Sequence, residues 1–359
     1  MSQPEQTIAG PADTDAGGRR NLSAALAGRA FDLVLRLGGL TIAIIVVAVV
    51  FRLLEPSYLS TEVVLSTLRS MSSLAIMALG LTLVIIVGEI DLSFAATFGL
   101  AANLLAAMWI LHDWALFPAL LVALLACVVV GAINGLLVAF VKVPSFIVTL
   151  GSYNLIYGLS LYFGKSQTMS PAYPPNGHHV GSGELSFFTD LTKKIGSSGF
   201  SIEILWMVAI ALVVGFLLHR TIFGFRLMAI GGNPEAARLA RLPVRKYKVL
   251  AFVLAAVLAG IAGILDFSFS GSVAPNAGLE NTFPVFAAVI IGGASLSGGR
   301  GTVIGTMGGA LLLAALSTGL ALVASGPFAQ QMFLGGVTIG AVLLDIWSRK
   351  AVAARAGRA

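Results

Sequence analysis

The chain is short of charge. Only 11% of its 359 residues are Asp, Glu, Lys or Arg, against 57% hydrophobic, and the mean hydropathy is +0.95. That balance excludes an ordinary soluble domain and places most of the chain in lipid. Cysteine is down to Cys127 alone, which excludes an intrachain disulfide and any Cys-based metal cluster. Within an apolar run this thiol reads as a small hydrophobe. Of the four histidines, His178 and His179 are adjacent, but without further His, Cys or grouped carboxylates they read as part of a solvated loop. A nucleotide-phosphate loop is also missing, because the one Gly-Lys-Ser, at 164–166, lacks the glycine five residues earlier. No clustered His, Cys and carboxylate set supports a membrane enzyme, and no cofactor or metal is expected on this chain.

What the chain has instead is long apolar runs. A hydrocarbon core of about 30 Å takes about 20 mostly apolar residues per helix. Such runs fall at 37–54, 70–88, 93–110, 115–140, 146–163, 201–219, 248–269, 284–298, 302–323 and 328–347. They predict an all-α polytopic membrane protein of about ten helices, spanning 37–347, between a polar arm at 1–36 and a tail at 348–359. The arm, with Asp13 and Asp15 and no short apolar core, is expected to be disordered and not a signal peptide. In the eighth run only Pro284 to Gly293 is strongly apolar. About ten residues at a rise of about 1.5 Å cross half a bilayer, so a broken or re-entrant segment is expected there.

Basic residues are retained on the cytoplasmic side of short loops. Under ten-span parity the arm, the tail and the connection at 220–247 share one face, and with Lys248 they hold fifteen of the 22 Lys and Arg. That face is the cytoplasm, so both termini are expected there. Trp109, Trp114, Trp206 and Trp347 all fall near span ends, where headgroups favour them. The net charge of +6 therefore reflects topology, and nucleic acid is not an expected partner.

Two connections carry most of the water-exposed mass. The one at 164–200, outside by parity, holds SPAYPPNGHH and offers a docking surface. The other, 220–247, reads as a short helix lying flat on the membrane: Gly231 and Gly232 break the chain, Asn233 caps, Pro234 suits the first helical position and Glu235 the positive end of the dipole. Ala236, Ala237, Arg238, Leu239, Ala240 and Arg241 continue it until Leu242 and Pro243 stop it.

Polar residues inside apolar spans are the candidates for a path. Glu89 and Asp91 in GEIDLS, with Ser93, lie between two apolar runs, where a carboxylate normally faces a cavity or a partner. Either the helices end at Gly88 and the acids meet cytoplasmic water, or a helix is broken and the motif faces the path; the second is preferred. Asn103, Asn134, Ser145, Phe146, Thr149 and Asn154 complete the set, Pro144 opening the helix that holds the last four. Such neutral groups suit a polyhydroxylated solute, and equally suit bonds between helices. Ser295 and Ser297 lie in a small-residue cluster, Gly292 to Gly301, where backbones can approach closely. VIIVGEIDLS and AVIIGGASLS hint at an internal repeat, but the spacing to the next proline-opened span differs.

GNPEAARLARLPVRKYK resembles the coupling loop of ABC importer permeases. VGEIDLS, VPSFIVTLGSYNLIYGL and FAAVIIGGASLSGGRGTVIGT are similar to the monosaccharide branch, the ribose, xylose and arabinose type. The resemblance implies a permease subunit with two copies around one path, ATP-binding subunits docked at Gly232 to Leu239 and Arg241, and an extracytoplasmic binding protein outside. It also implies a bacterial inner membrane location, with ATP and Mg held by the partner. LSGGR is one letter from the LSGGQ of ABC ATPases, but 301–325 lacks the acidic residue that magnesium binding needs, so the run reads as a small-residue joint. Other classes are a permease for branched-chain amino acids or nucleosides, and an ion-driven transporter with Glu89 or Asp91 as carrier.

Overall fold

The computed structural model describes residues 38–323 except 176, 197 and 198, with a few scattered positions between 326 and 340. The arm at 1–36, the tail at 348–359 and most of the expected last span lie outside the described residues.

The fold is helical, in chain order α1 (Gly38–Leu54), α2 (Thr61–Ile86), α3 (Phe94–Ala106), α4 (Leu116–Leu136) and α5 (Ser145–Phe163). There follow α6 (Ser182–Asp190), strands β1 (Lys194–Ile195) and β2 (Phe200–Ser201), α7 (Ile202–Arg220), α8 (Ile222–Gly232), α9 (Pro234–Leu239), α10 (Val244–Ser270), α11 (Thr282–Ile291) and α12 (Val303–Leu322). A π-type turn extends α3 to Leu111 and another extends α4 to Val141. Seven of the described helices, α2, α3, α4, α5, α7, α10 and α12, are long and apolar enough to cross a membrane. The expected first span is the 17 residues of α1, and the eighth is the ten residues of α11, followed by the irregular loop at 292–302.

Two boundaries differ from the sequence reading. α2 begins at Thr61 and not at 70, because the Ser60 hydroxyl accepts from Val63 N–H and starts the helix while the chain is still polar. Hydrophobicity reports where lipid begins; a cap reports where the helix begins. The connection at 220–247 is also mostly helical, with α8 running through Gly231 and Gly232 to end at Asn233.

α10 is the hub, in contact with α2, α3 and α4. Small residues permit the approach: a Cβ on Gly131 would lie 2.6 Å from Phe252 O, and one on Gly135 2.7 Å from Val249 Cα. Cys127 continues that face of α4 one turn earlier, buried beside Gly260 as a small hydrophobe. The opposite face of α4 and its extension, from Leu121 through Leu125, Val129, Ile133 and Leu136 to Phe140, is exposed at four- or three-residue steps suited to lipid. α2 is enclosed by protein from Met71 to Ile86, whereas α5 and α7 sit at the periphery.

Candidate functional site

The centre of the site is the break between α2 and α3. Gly88 adopts a φ of 86°, which glycine tolerates without cost, and the chain leaves helical geometry until Ser93. Asp91 is buried in this break, its Oδ1 accepting from Ser93 N–H at 2.7 Å and Ser93 Oγ at 2.6 Å. Ser93 Oγ accepts in turn from Asn134 Nδ2 on α4 at 2.9 Å, and Asn134 Oδ1 accepts from Ser152 on α5. The first turn of α5 binds the broken backbone itself: Ile90 N–H donates to Ser145 Oγ at 3.1 Å, and Ile90 O lies 3.4 Å from Thr149 Oγ1. Thr149 Oγ1 also donates to Ser145 O at 2.8 Å. α2 and α3 are each long enough to cross, so the helices end here as the first of the two sequence alternatives has it, and the acids are engaged by protein where that alternative left them in water. Helix ends leave orphan amides and carbonyls, and α5 satisfies those of Ile90.

The other polar candidates lie apart. Asn103 is buried on α3, its Nδ2 donating to Gly99 O at 3.0 Å and to Ala274 O at 3.2 Å. Phe146 and Asn154 are exposed on the outer side of α5, with Asn154 Nδ2 donating to Leu150 O at 3.1 Å. Ser295 is buried and Ser297 exposed, in the loop after α11. Asp266 is partly buried and lines a cavity of 240 Å³ with Glu280.

Glu89 forms an ion pair with Lys248 in the first turns of α10. Sequence reading counted Lys248 only as a topology charge, since a partner 159 residues away leaves no local signal.

A backbone joint lies beside this pair. Gly299 N–H donates to Ile86 O at 2.8 Å, so the loop after α11 caps the end of α2. Gly298 and Gly299, at φ of 79° and 76°, touch the end of α8: a Cβ on Gly299 would lie 2.6 Å from Gly232 Cα, and one on Gly298 2.6 Å from Gly231 O and 2.9 Å from Gly88 Cα. A Cβ on Gly231 would strike Ile86 O. Three chain segments thus meet backbone to backbone where the sequence showed only LSGGR and Gly231-Gly232.

α9 leaves this joint directly. Asn233 Oδ1 accepts from Glu235 N–H at 3.1 Å and Ala236 N–H at 2.9 Å, the cap the sequence predicted. The helix is shorter than expected, because it ends at Ala240 and Arg241 turns left-handed at φ 57°. Ala237 alone is buried; Gly232, Asn233, Pro234, Glu235, Ala236, Arg238, Leu239 and Arg241 are exposed, Leu239 at 82%.

On the opposite face Glu184 of α6 accepts from Trp109 Nε1 at 2.8 Å and Leu116 N–H at 3.0 Å, fastening the 164–200 segment to the α3–α4 hairpin. Asp113 lies 3.0 Å from His178 Nδ1 and accepts from His179 N–H, and these bonds hold its carboxyl below the usual carboxylate range. The two histidines thus serve to fasten the loop.

A bundle of apolar helices long enough to cross a membrane, two of them joined by a polar-stitched turn, with a short exposed helix on one face, is the architecture of a polytopic membrane protein. Residues 63–342 match the family described as branched-chain amino acid transport system / permease component, and the chain belongs to that family. It is similar to the ribose import permease protein RbsC of Bacillus subtilis, 34% identical over 88% of this chain and 94% of the relative. The galactose/methyl galactoside import permease protein MglC of Escherichia coli is 32% identical over 89% and 97%. The fructose import permease protein FrcC of Rhizobium meliloti is 31% identical over 80% and 78%. These relatives are named as permeases and not as enzymes. No solved structure matches.

Proposed function

We propose that the chain is the transmembrane subunit of an ATP-driven, binding-protein-dependent importer of monosaccharides. The observation that carries this is near full-length similarity to permeases named for ribose, galactose and fructose. The topology that goes with it has ten crossings of a bacterial inner membrane, both termini inside and the basic face cytoplasmic. Two copies of the chain enclose one path, and a substrate-loaded binding protein docks at the 164–200 side.

ATP and Mg are held by a separate subunit, and α9 is the part of this chain that it grips. Glu235 and Arg238 offer polar contacts, while Ala236 and Leu239 fill an apolar cleft. Movement of α9 passes through Gly231 and Gly232, which abut the end of α2 and the loop after α11. The α2–α3 break carrying Asp91 then shifts against α4 and α5, changing which side of the path is open. Asn154 and Phe146 on the outer side of α5 face the path between the copies. Among the described residues the Glu89 carboxylate is engaged by Lys248, which suits a latch more than a free ion carrier.

The family description names branched-chain amino acids, so substrate is tested directly. The chain, purified with its co-encoded ATP-binding subunit and binding protein, is reconstituted in lipid and assayed for ATP hydrolysis with ribose, galactose, fructose and leucine. Stimulation by a sugar and not by leucine is expected; stimulation by leucine alone would reassign the substrate, and failure to copurify an ATPase would remove the importer.

A further inference from the structure

We infer that the cavity between the inner ends of α4, α9 and α10 holds the phosphate headgroup of an anionic phospholipid. The cavity measures 730 Å³, and its lining includes Lys142, Arg238, Arg245, Lys246 and Lys248 against a single carboxylate, Glu89. Glu89 is already engaged by Lys248. Among the described residues no carboxylate lies within 4.0 Å of Lys142, Arg238, Arg245 or Lys246. Four cations facing one space repel one another unless an anion joins them. Arg245 sits with its guanidinium carbon 5.2 Å from the centre of the Phe140 ring, a stacking contact that leaves its N–H groups available.

Phosphate is the chemistry such a set recognises, and the rim selects a lipid over a free ion. Phe140 lines the cavity and is also 51% exposed, and the neighbouring Val141 is 64% exposed. From there the exposed face of α4 runs back through Ile133, Val129, Leu125 and Leu121. A headgroup seated among the cations lays its acyl chains along that apolar stripe. Inorganic phosphate would use the cations and leave the stripe idle. The inference rests on the topology proposed above, which puts this end of α4 at the inner leaflet, where anionic lipids meet basic residues. Because Arg238 belongs to α9, a lipid in this position borders the proposed docking helix.

The test uses the importer purified in mild detergent, with phosphatidylglycerol titrated in and bound lipid counted by native mass spectrometry. Wild type is expected to retain phosphatidylglycerol in preference to phosphatidylcholine. The triple variant K142Q/R245Q/K246Q should bind it at least about tenfold more weakly, because each basic side chain near an anionic surface contributes separately. K165Q/K193Q/K194Q removes the same charge from the opposite face and should bind as wild type does. Where the triple variant fails to assemble, Lys142→Gln alone, on an exposed helix end, should show a partial loss. Equal retention by all variants overturns the site. Displacement by millimolar inorganic phosphate assigns it to free anions and overturns the lipid. Lipid retained by the chain purified without its ATP-binding subunit but absent from the importer assigns the cavity to that subunit. Sugar-stimulated ATP hydrolysis in the same samples reports on the importer separately.

Discussion

Asn134 uses both ends of its amide, donating to Ser93 Oγ and accepting from Ser152, and is 1% exposed. Asn154 bonds only within its own helix and is exposed. The two residues look alike in the sequence, since each is one polar side chain in an apolar span. The structure separates them into a strut and a surface group. Asn134→Leu leaves Ser152 without its acceptor and breaks the link from α4 to Ser93. A loss of about 1–2 kcal/mol is expected, read as a fall of several degrees in Tm of the purified chain. Asn154→Leu should keep the wild-type Tm and lower uptake by the assembled importer. Equal thermal loss in both would remove the distinction, and a stable, inactive Asn134→Leu would place Asn134 in the path.

Among the elements, capped α9 was the most legible. Asn-Pro-Glu writes a helix start in local chemistry, and Asn233 closes both amides as that chemistry demands. The half-length α11 was legible as well, because a count of apolar residues is a length in ångströms. The joint of Gly88, Gly231, Gly232, Gly298 and Gly299 was not, because glycines mark where backbones can meet without saying which ones do. Its tolerance is uneven and can be tested. Gly299→Ala forces a non-glycine residue to φ 76° and puts a Cβ 2.6 Å from Gly232 Cα, whereas a Cβ on Gly232 would meet only Gly299 Cα at 3.9 Å. Left-handed strain alone costs about 1–2 kcal/mol, which is about a five- to thirtyfold shift between two states of the joint. Gly299→Ala should therefore uncouple sugar-stimulated ATP hydrolysis from uptake at unchanged expression, while Gly232→Ala stays near wild type. If both variants transport normally, motion does not pass through this contact.

At the scale of the molecule, a hydrophobicity profile cannot say which apolar surface faces lipid and which faces protein, and α4 and α5 show why. Both are largely exposed, yet their outer faces differ in kind. That of α4 is a row of Leu, Val, Ile and Phe, content in hydrocarbon. That of α5 interleaves Gly151, Asn154 and Gly158 at helical spacing with exposed Ile147, Leu155 and Tyr162, and a Cβ on either glycine would meet nothing within 4 Å. Small residues bring helices together in lipid, and an asparagine amide gains little from acyl chains, so this face is built for a protein surface or a watery path. In the proposed assembly of two copies around one path, this face places α5 of each copy opposite the other. The single cysteine makes this directly testable, because Cys127→Ala, at a buried site beside Gly260, clears the background. Gly158→Cys on that background should give a crosslinked dimer in membranes with a bifunctional thiol reagent long enough to span the path, and Leu125→Cys on the lipid-facing side of α4 should not. Crosslinking through Leu125→Cys with none through Gly158→Cys would move the dimer contact to α4, and would also expel the lipid tails placed there.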